Sequence, residues 1–148
     1  MFPTPGSRVG RSAFSSPMDK CEIYLTASVT IGGGFVKVPL DTVLYDPSFL
    51  FDATAKVIRP RRPGWYNCNG RVRLTGNFAF AAFLGFNGAA VKGLGFDPGS
   101  TSNIAAVGSV KYFANGTTDT FELQAFISSL KLLTTGAFDT FLQVEGPY

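Results

Sequence analysis

From Trp65 to Leu74 the chain alternates without a break. Tyr66, Cys68, Gly70, Val72 and Leu74 hold one parity, and Trp65, Asn67, Asn69, Arg71 and Arg73 hold the other. A period of two places these sets on opposite faces of a β-strand. Asn69-Gly70 alone signals a two-residue hairpin, but a turn there would interrupt the parity. The segment therefore predicts one long strand, with Gly70 at a bulge or a close approach. Such a strand needs partners along its length, and the rest of the chain is cut into short apolar runs that supply them.

Glu22 to Ile31 predicts a half-buried strand, with Ile23, Leu25, Ala27, Val29 and Ile31 on one face. Gly32-Gly33-Gly34 ends it. No Gly-Lys-Ser/Thr and no helix start follow, so this triplet is a turn or bulge and not a phosphate loop. Phe35 to Leu44 predicts a strand interrupted at Pro39, which suits an edge or a bend. Tyr45-Asp46-Pro47-Ser48 is a turn, and Phe49–Phe51 and Val57–Ile58 are short strands. Phe78 to Phe86 is apolar on both parities. Helix is the rival reading, because Phe80, Phe83 and Leu84 have helical spacing. Asn87-Gly88 favours strand by closing it as a hairpin, with Ala89 to Leu94 returning. A strand apolar on both faces predicts an outer sheet face that meets another subunit, and it assigns Phe78, Phe80, Phe83 and Phe86 to that interface.

Asp97-Pro98-Gly99-Ser100 is a further turn. Ile104 to Ala114 predicts a strand and Asn115-Gly116-Thr117-Thr118 a hairpin turn. Thr120 to Ile127 is then the partner, with Phe121, Leu123, Ala125 and Ile127 facing one way. Phe138 to Glu145 is the last strand. No segment has amphipathic helical periodicity. About ten short strands at regular turn spacing predict an all-β sandwich or barrel over residues 21–148. Residues 1–20 are rich in Pro, Gly, Ser and Arg, with Phe2, Val9, Phe14 and Met18 as isolated apolar anchors. They predict an extended N-terminal arm, held by a neighbouring subunit or folded back along its own domain.

Composition narrows the function. Charged residues make up 16% of the 148, yet there are 15 Phe. That combination predicts burial beyond one chain's core, in a homo-oligomer or a larger assembly. The chain has no His, which removes the usual general base near neutral pH, the Ser-His and Cys-His pairs and the commonest metal ligand. Cys21 and Cys68 are too few for a disulfide framework or a four-thiolate zinc site and read as small buried hydrophobes. Asp41, Asp46 and Asp52 match no calcium loop, and Asp46-Pro47 is better explained as a turn. Asn115-Gly116-Thr117, a formal glycosylation acceptor, is likewise read as a turn. The expectation is no catalytic, cofactor-binding or metal-binding residue and no small-molecule substrate.

No stretch has the length of a transmembrane span, and the opening residues lack the apolar run of a secretory leader. The expectation is therefore no membrane partner, assembly in a cytoplasm and reduced cysteines. The net charge is +3, and between Ala53 and Phe96 there are only bases: Lys56, Arg59, Arg61, Arg62, Arg71, Arg73 and Lys92. Such a run suits contact with an acidic surface or with nucleic acid, or a solvated face paired with acids elsewhere in the fold. Arg59, Arg61 and Arg62 surround two prolines just before Trp65 and Tyr66, an arrangement that belongs to no nucleic-acid module. Protein contact or solvation is the expectation there.

In this order the strands resemble the C1q/TNF-like jelly-roll family. The motifs that carry the likeness are Val43-Leu-Tyr-Asp46, Pro60-Arg-Arg-Pro-Gly-Trp-Tyr66, Phe83-Leu-Gly-Phe-Asn-Gly88, Phe113-Ala-Asn-Gly-Thr-Thr-Asp-Thr-Phe121 and Thr140-Phe-Leu-Gln-Val144. Two departures stand out: there is no collagen-like stalk, and Asn115-Gly116 occupies a position where many relatives have a glycine-acid pair. The resemblance implies a jelly-roll β-sandwich, a homotrimer with Phe78, Phe80, Phe83 and Phe86 at the trimer interface, and binding or assembly in place of catalysis. Similar heads occur in bacteriophage virions. The expected function is accordingly a trimeric decoration (cement) protein on the outer capsid surface, bound to major capsid protein subunits. Phe2, Arg8, Val9, Arg11 and Phe14 of the arm would make lattice contact. The alternative is the receptor-binding head of a tail or head fibre. A hydrolase on this scaffold would need an acidic pocket, which the sequence does not offer.

Overall fold

The computed structural model describes residues 18–148 apart from 28, 76–78, 100–102, 129–130 and 134–138. Phe2, Arg8, Val9, Arg11, Phe14 and Phe78 therefore lie outside the described residues. The strands are β1 (Asp19–Tyr24), β2 (Thr30–Ile31), β3 (Gly34–Lys37), β4 (Thr42–Tyr45), β5 (Phe51–Asp52), β6 (Val57–Ile58) and β7 (Gly64–Thr75). They continue with β8 (Phe80–Phe86), β9 (Ala89–Asp97), β10 (Asn103–Ala114), β11 (Phe121–Ile127), β12 (Lys131–Leu132) and β13 (Phe141–Gly146). No helix occurs among the described residues.

Two antiparallel sheets form a sandwich. The first has the order β10-β7-β13-β1-β4, and the second has β5-β6-β11-β8-β9 with β3 also paired to β11. Alternation fills the space between them. Cys21, Ile23, Tyr66, Cys68, Val72, Leu74, Leu142 and Val144 point inward from the first sheet. Phe80, Ala82, Leu84, Phe121, Leu123, Ala125 and Ile127 meet them from the second. β2 and β12 make a separate small ribbon.

β7 is the single long strand that its parity requires. It pairs with β10 from Gly64 opposite Ala114 to Thr75 opposite Asn103 without a register shift. Gly70 is thus a close approach and not a bulge: a Cβ there would lie 2.7 Å from Leu94 Cδ1 and 3.0 Å from Leu123 Cδ1. The β8–β9 hairpin also forms as expected. Asn87 and Gly88 take φ of 52° and 87°, the left-handed pair that a tight hairpin turn needs.

Three expectations about strand pairing are corrected. First, Glu22–Ile31 is not one strand. Asp41 accepts hydrogen bonds from the backbone N–H groups of Thr26 (2.9 Å) and Ala27 (3.1 Å), which draws the chain out of the ladder after β1. Second, Phe35–Leu44 is two strands in different sheets. β3 pairs with β11 and β4 with β1, while Val38 and Leu40, on either side of Pro39, are buried in the passage between layers. Third, β10 and β11 are not a hairpin. β10 belongs to the first sheet and β11 to the second. The turn chemistry at Asn115 is present: its Oδ1 accepts from the N–H groups of Thr117, Thr118 and Asp119 at 2.9, 3.0 and 3.1 Å. That chemistry reverses the chain locally but does not choose the sheet it enters next.

β9 and β10 are edge strands of opposite sheets, and their backbones touch where the sandwich closes. A Cβ on Gly95 would collide with the backbone of Val107, and one on Gly108 with the backbone of Leu94. Two glycines facing each other's strand let the sheets approach closely at this edge.

Candidate interaction surfaces

The outer face of the first sheet carries the residues that alternate with its core set. Trp65 and Phe113 are directly opposite each other on β7 and β10, with ring centroids 5.8 Å apart, and Trp65 is 52% exposed. Val107 and Leu44 are also exposed on this sheet. Between β4 and β13 lies an apolar recess of about 150 Å³ lined by Tyr24, Leu44 and Phe141. Most polar residues of the face satisfy one another; the exception among the described residues is Arg71, whose buried Nε has no hydrogen-bond partner. Asn69 donates to Gln143 (3.1 Å), Gln143 donates to Glu22 (2.8 Å), and Lys20 pairs with Glu22 (3.1 Å). Ser109 donates to Asn67 at 3.1 Å. Polar groups already bonded within the face can be covered at small desolvation cost.

The outer face of the second sheet carries a different set. Phe35 of β3 packs on Phe83 of β8 (5.1 Å between centroids) and on Phe126 of β11 (4.9 Å), and both Phe35 and Phe126 are exposed. Phe96 pairs opposite Ala81 and is exposed on the same face. Beside this cluster a groove of about 510 Å³ runs over β11, walled by Phe35 and Lys37 on one side and Gly88, Ala89 and Ala90 on the other. Its floor is Glu122 and Gln124, only 4% and 5% exposed. Gln124 Nε2 donates to Glu122 Oε2 at 2.9 Å and to the Gly88 carbonyl at 3.2 Å. Both side chains lie flat because Gly85 is opposite Glu122; a Cβ there would meet Glu122 Cγ and Gln124 Nε2.

The structure separates the phenylalanines assigned to one interface. Phe80 is 2% exposed and belongs to the core, and Phe83 belongs to the aromatic cluster just described. Phe86 packs on Tyr112 (4.6 Å) and Phe121 (5.5 Å). They do not form one surface, because consecutive parities of β8 point to opposite sides of its sheet. The basic turn finds its acids within the fold. Arg59 pairs with Asp52 at 2.9 Å and Arg62 with Asp19 at 3.3 Å, while Arg61 donates to the Phe49 carbonyl at 2.9 Å. Tyr66 is a core residue whose hydroxyl donates to the Arg62 carbonyl at 2.7 Å. The basic turn is therefore bonded to its own domain from three directions.

The aspartates act as loop acceptors. Asp46 accepts from the N–H groups of Leu50 (2.8 Å) and Phe51 (2.9 Å), and Asp52 accepts from those of Thr54 and Ala55 (3.0 Å each). Burial works to raise the pKa of Asp41, but hydrogen bonds from Thr26, Thr42 and Ala27 outweigh it and hold the carboxyl below its ordinary value. Among the described residues, no group of three or more His, Cys, Asp or Glu side chains converges as metal ligands would. Cys21 and Cys68 are free thiols in the core. Burial pushes Cys68 up to about 12. Burial, with the Asp46 carboxylate second, raises Cys21 as well.

Sequence reasoning missed Glu122 and Gln124. Their parity is outward, which reads as solvated polar positions. Their burial depends on a glycine in a strand whose pairing is invisible from the sequence.

No protein-family profile and no curated protein matches this chain. Solved structures do. Murine APRIL at pH 8.0 superposes with a TM-score of 0.65 at 12% identity, over 86% of this chain and 98% of that one. Eiger TNF from S. frugiperda gives 0.66 at 9% identity, over 90% and 94%. The globular domain of zebrafish complement 1qA protein gives 0.62 at 13% identity, over 87% and 96%. At such identities the likeness is one of architecture, and the fold of this chain is a C1q/TNF-like jelly-roll β-sandwich.

Proposed function

We propose that this chain is a structural, non-enzymatic virion protein: a homotrimer that decorates a bacteriophage capsid and cements its shell. The observation that carries this reading is the presence of two separate exposed aromatic surfaces on opposite sheets of one domain, Trp65 with Phe113 and Phe35 with Phe126. One such surface is enough for self-association, and a second gives the assembled protein something further to hold. We assign the trimer to the first sheet, because Asn69, Gln143, Glu22, Lys20, Ser109 and Asn67 on its outer face are already bonded to one another. In this reading residues 1–20 reach a neighbouring subunit, and cementing follows from many modest contacts that must break together.

Two measurements test this. Light scattering of the purified protein should give three times the protomer mass, and Trp65→Arg combined with Phe113→Arg should give a folded monomer. A wild-type monomer would sink the trimer. Imaging of particles that carry a labelled copy should show the protein spread over the shell. A handful of copies at the tail would instead favour a receptor-binding fibre head, and absence from particles would overturn both.

A further inference from the structure

The groove over β11 holds a carboxylate that lacks a counter-ion. Glu122 is 4% exposed, it accepts a hydrogen bond from the neutral amide of Gln124, and no ion pair reaches it among the described residues. Lys37 lines the same groove but donates its ammonium to the Ala55 carbonyl at 2.8 Å. A shielded carboxylate without a cation is costly, and a cationic group arriving in the groove would relieve that cost. Next to it, the exposed rings of Phe35 and Phe126 with Phe83 form an apolar clamp. The groove thus suits a segment that carries a base and, a short distance along, an aromatic residue.

The chain contains such a segment. Residues 1–17 include Arg8, Arg11, Phe2 and Phe14 and no acid. The spacing fits. In an extended segment with three residues per turn, Arg11 and Phe14 face the same side about 9 Å apart. Along β11, Gln124 is about 7 Å and Phe126 about 14 Å from Glu122, and the Phe35–Phe83–Phe126 clamp spans that interval. The exit point fits as well. Asp19 pairs with Arg62, a Cβ on Gly116 would touch the Arg62 backbone, and Asp119 of the same loop accepts from Asn87 Nδ2 at 2.9 Å. β1 therefore begins at the end of the sandwich where the Asn87–Gly88 turn borders the groove. Extended, the five residues from Phe14 to Asp19 reach about 17 Å and the eight from Arg11 about 27 Å, enough to enter a copy packed against this end of the sandwich.

We propose that this groove is the acceptor for the Arg8–Phe14 segment of a neighbouring copy. Glu122 receives Arg11, and the Phe35–Phe83–Phe126 clamp receives Phe14. The proposal rests on the reading of residues 1–20 as an arm that reaches a neighbour, and it names where the arm goes: from copy to copy, so that the copies are tied to one another.

The test uses the full chain. Light-isotope copies carrying a photocrosslinking amino acid in place of Phe14 are mixed with heavy-isotope copies, irradiated and mapped by mass spectrometry. Light-to-heavy crosslinks into β3, β8 or β11 are expected. Glu122→Gln keeps an acceptor for Gln124 and should cut the yield about tenfold, since a charge-assisted contact is lost. Arg11→Gln leaves the body of the protein untouched and should do the same. Crosslinks confined to light copies, crosslinks to the Trp65 face, or a yield indifferent to both substitutions would overturn the proposal. If position 14 crosslinks only to coat protein on particles, the groove assignment fails while the arm reading stands. If it crosslinks to nothing in either setting, both fail.

Discussion

Closure of the sandwich at the β9–β10 edge makes a quantitative prediction. Neither Gly95 nor Gly108 has a positive φ, so alanine meets no conformational objection at either site. The objection is steric. A Cβ on Gly108 would sit 2.6 Å from the Leu94 carbonyl carbon and 3.3 Å from its Cα, and one on Gly95 would sit 2.6 Å from the Val107 nitrogen. Comfortable separation is about 3.5 Å, and the Leu94 and Val107 carbonyl oxygens lie nearer still, so the two backbones must part by more than about 1 Å. The obstacles are main-chain atoms of paired strands and not the ends of flexible side chains, which places the cost in the upper part of the usual overpacking range of about 1–3 kcal/mol. Reduced freedom of the unfolded chain returns about 0.4–1 kcal/mol. Each single substitution should therefore lose about 2 kcal/mol, or about 4–8 °C in Tm for a chain of this size. Because either Cβ separates the same two strands, Gly95→Ala with Gly108→Ala should cost less than the sum, with a coupling of at least about 0.5 kcal/mol in a double-mutant cycle. Urea unfolding with an unchanged m-value is the assay. Gly93→Ala is the control: its Cβ would meet only Phe83 Cε2 at 3.9 Å, and it should stay within about 0.5 kcal/mol of wild type. A neutral Gly108→Ala would refute the close crossing, and strict additivity would refute its shared cause.

Further outcomes concern single groups. The depressed Asp41 pKa contributes stability that is complete above the unfolded carboxylate value near 4 and is lost as pH falls through the lower folded value. Asp41→Asn should therefore lose about 1–2 kcal/mol at neutral pH and show a shallower loss below about pH 4, measured as urea midpoints against pH. With Cys68 pushed up to about 12, about one part in ten thousand is thiolate at pH 8. Neither thiol should react with a disulfide reagent in the native protein, and both should react in denaturant; rapid native labelling would contradict the burial. Gly85→Ala should cost about 1–2 kcal/mol by lifting Glu122 and Gln124 off the β8 surface, and it should abolish the Phe14-position crosslink.

What the sequence disclosed follows from the range of each interaction. β7 was legible because parity depends on one residue's relation to the next, and a long enough run overrules a misleading Asn69-Gly70. The β8–β9 hairpin was legible because its turn and both strands are local. The Asn115–Thr118 turn carries equally clear local chemistry, yet the strands on either side of it pair with β7 and β8. Partner choice is set by packing between distant segments, and no turn residue encodes it. The same limit governed the surfaces. The apolar parity of β8 was visible, but that Phe83 would meet Phe35 and Phe126 depended on β3 lying beside β11. Arg59 and Arg62 were visible as bases; their acids, Asp52 and Asp19, are brought to them by the fold.

β1 is not an edge strand: it lies between β13 and β4, with Asp19 opposite Gly146. The chain that precedes Asp19 is therefore rooted in the interior of a sheet, in a strand paired with β13 from Asp19 to Tyr24 and with β4 from Glu22 to Tyr24. Tension applied through that chain would not peel a loose border strand. It would load the β13 ladder from Asp19 and the β4 ladder as well from Glu22, so a neighbour pulling on it would meet shear resistance from the body of the domain. If copies are tethered by this route, the weak point under force is the far end of the tether, which can release and rebind, and not the fold at its root.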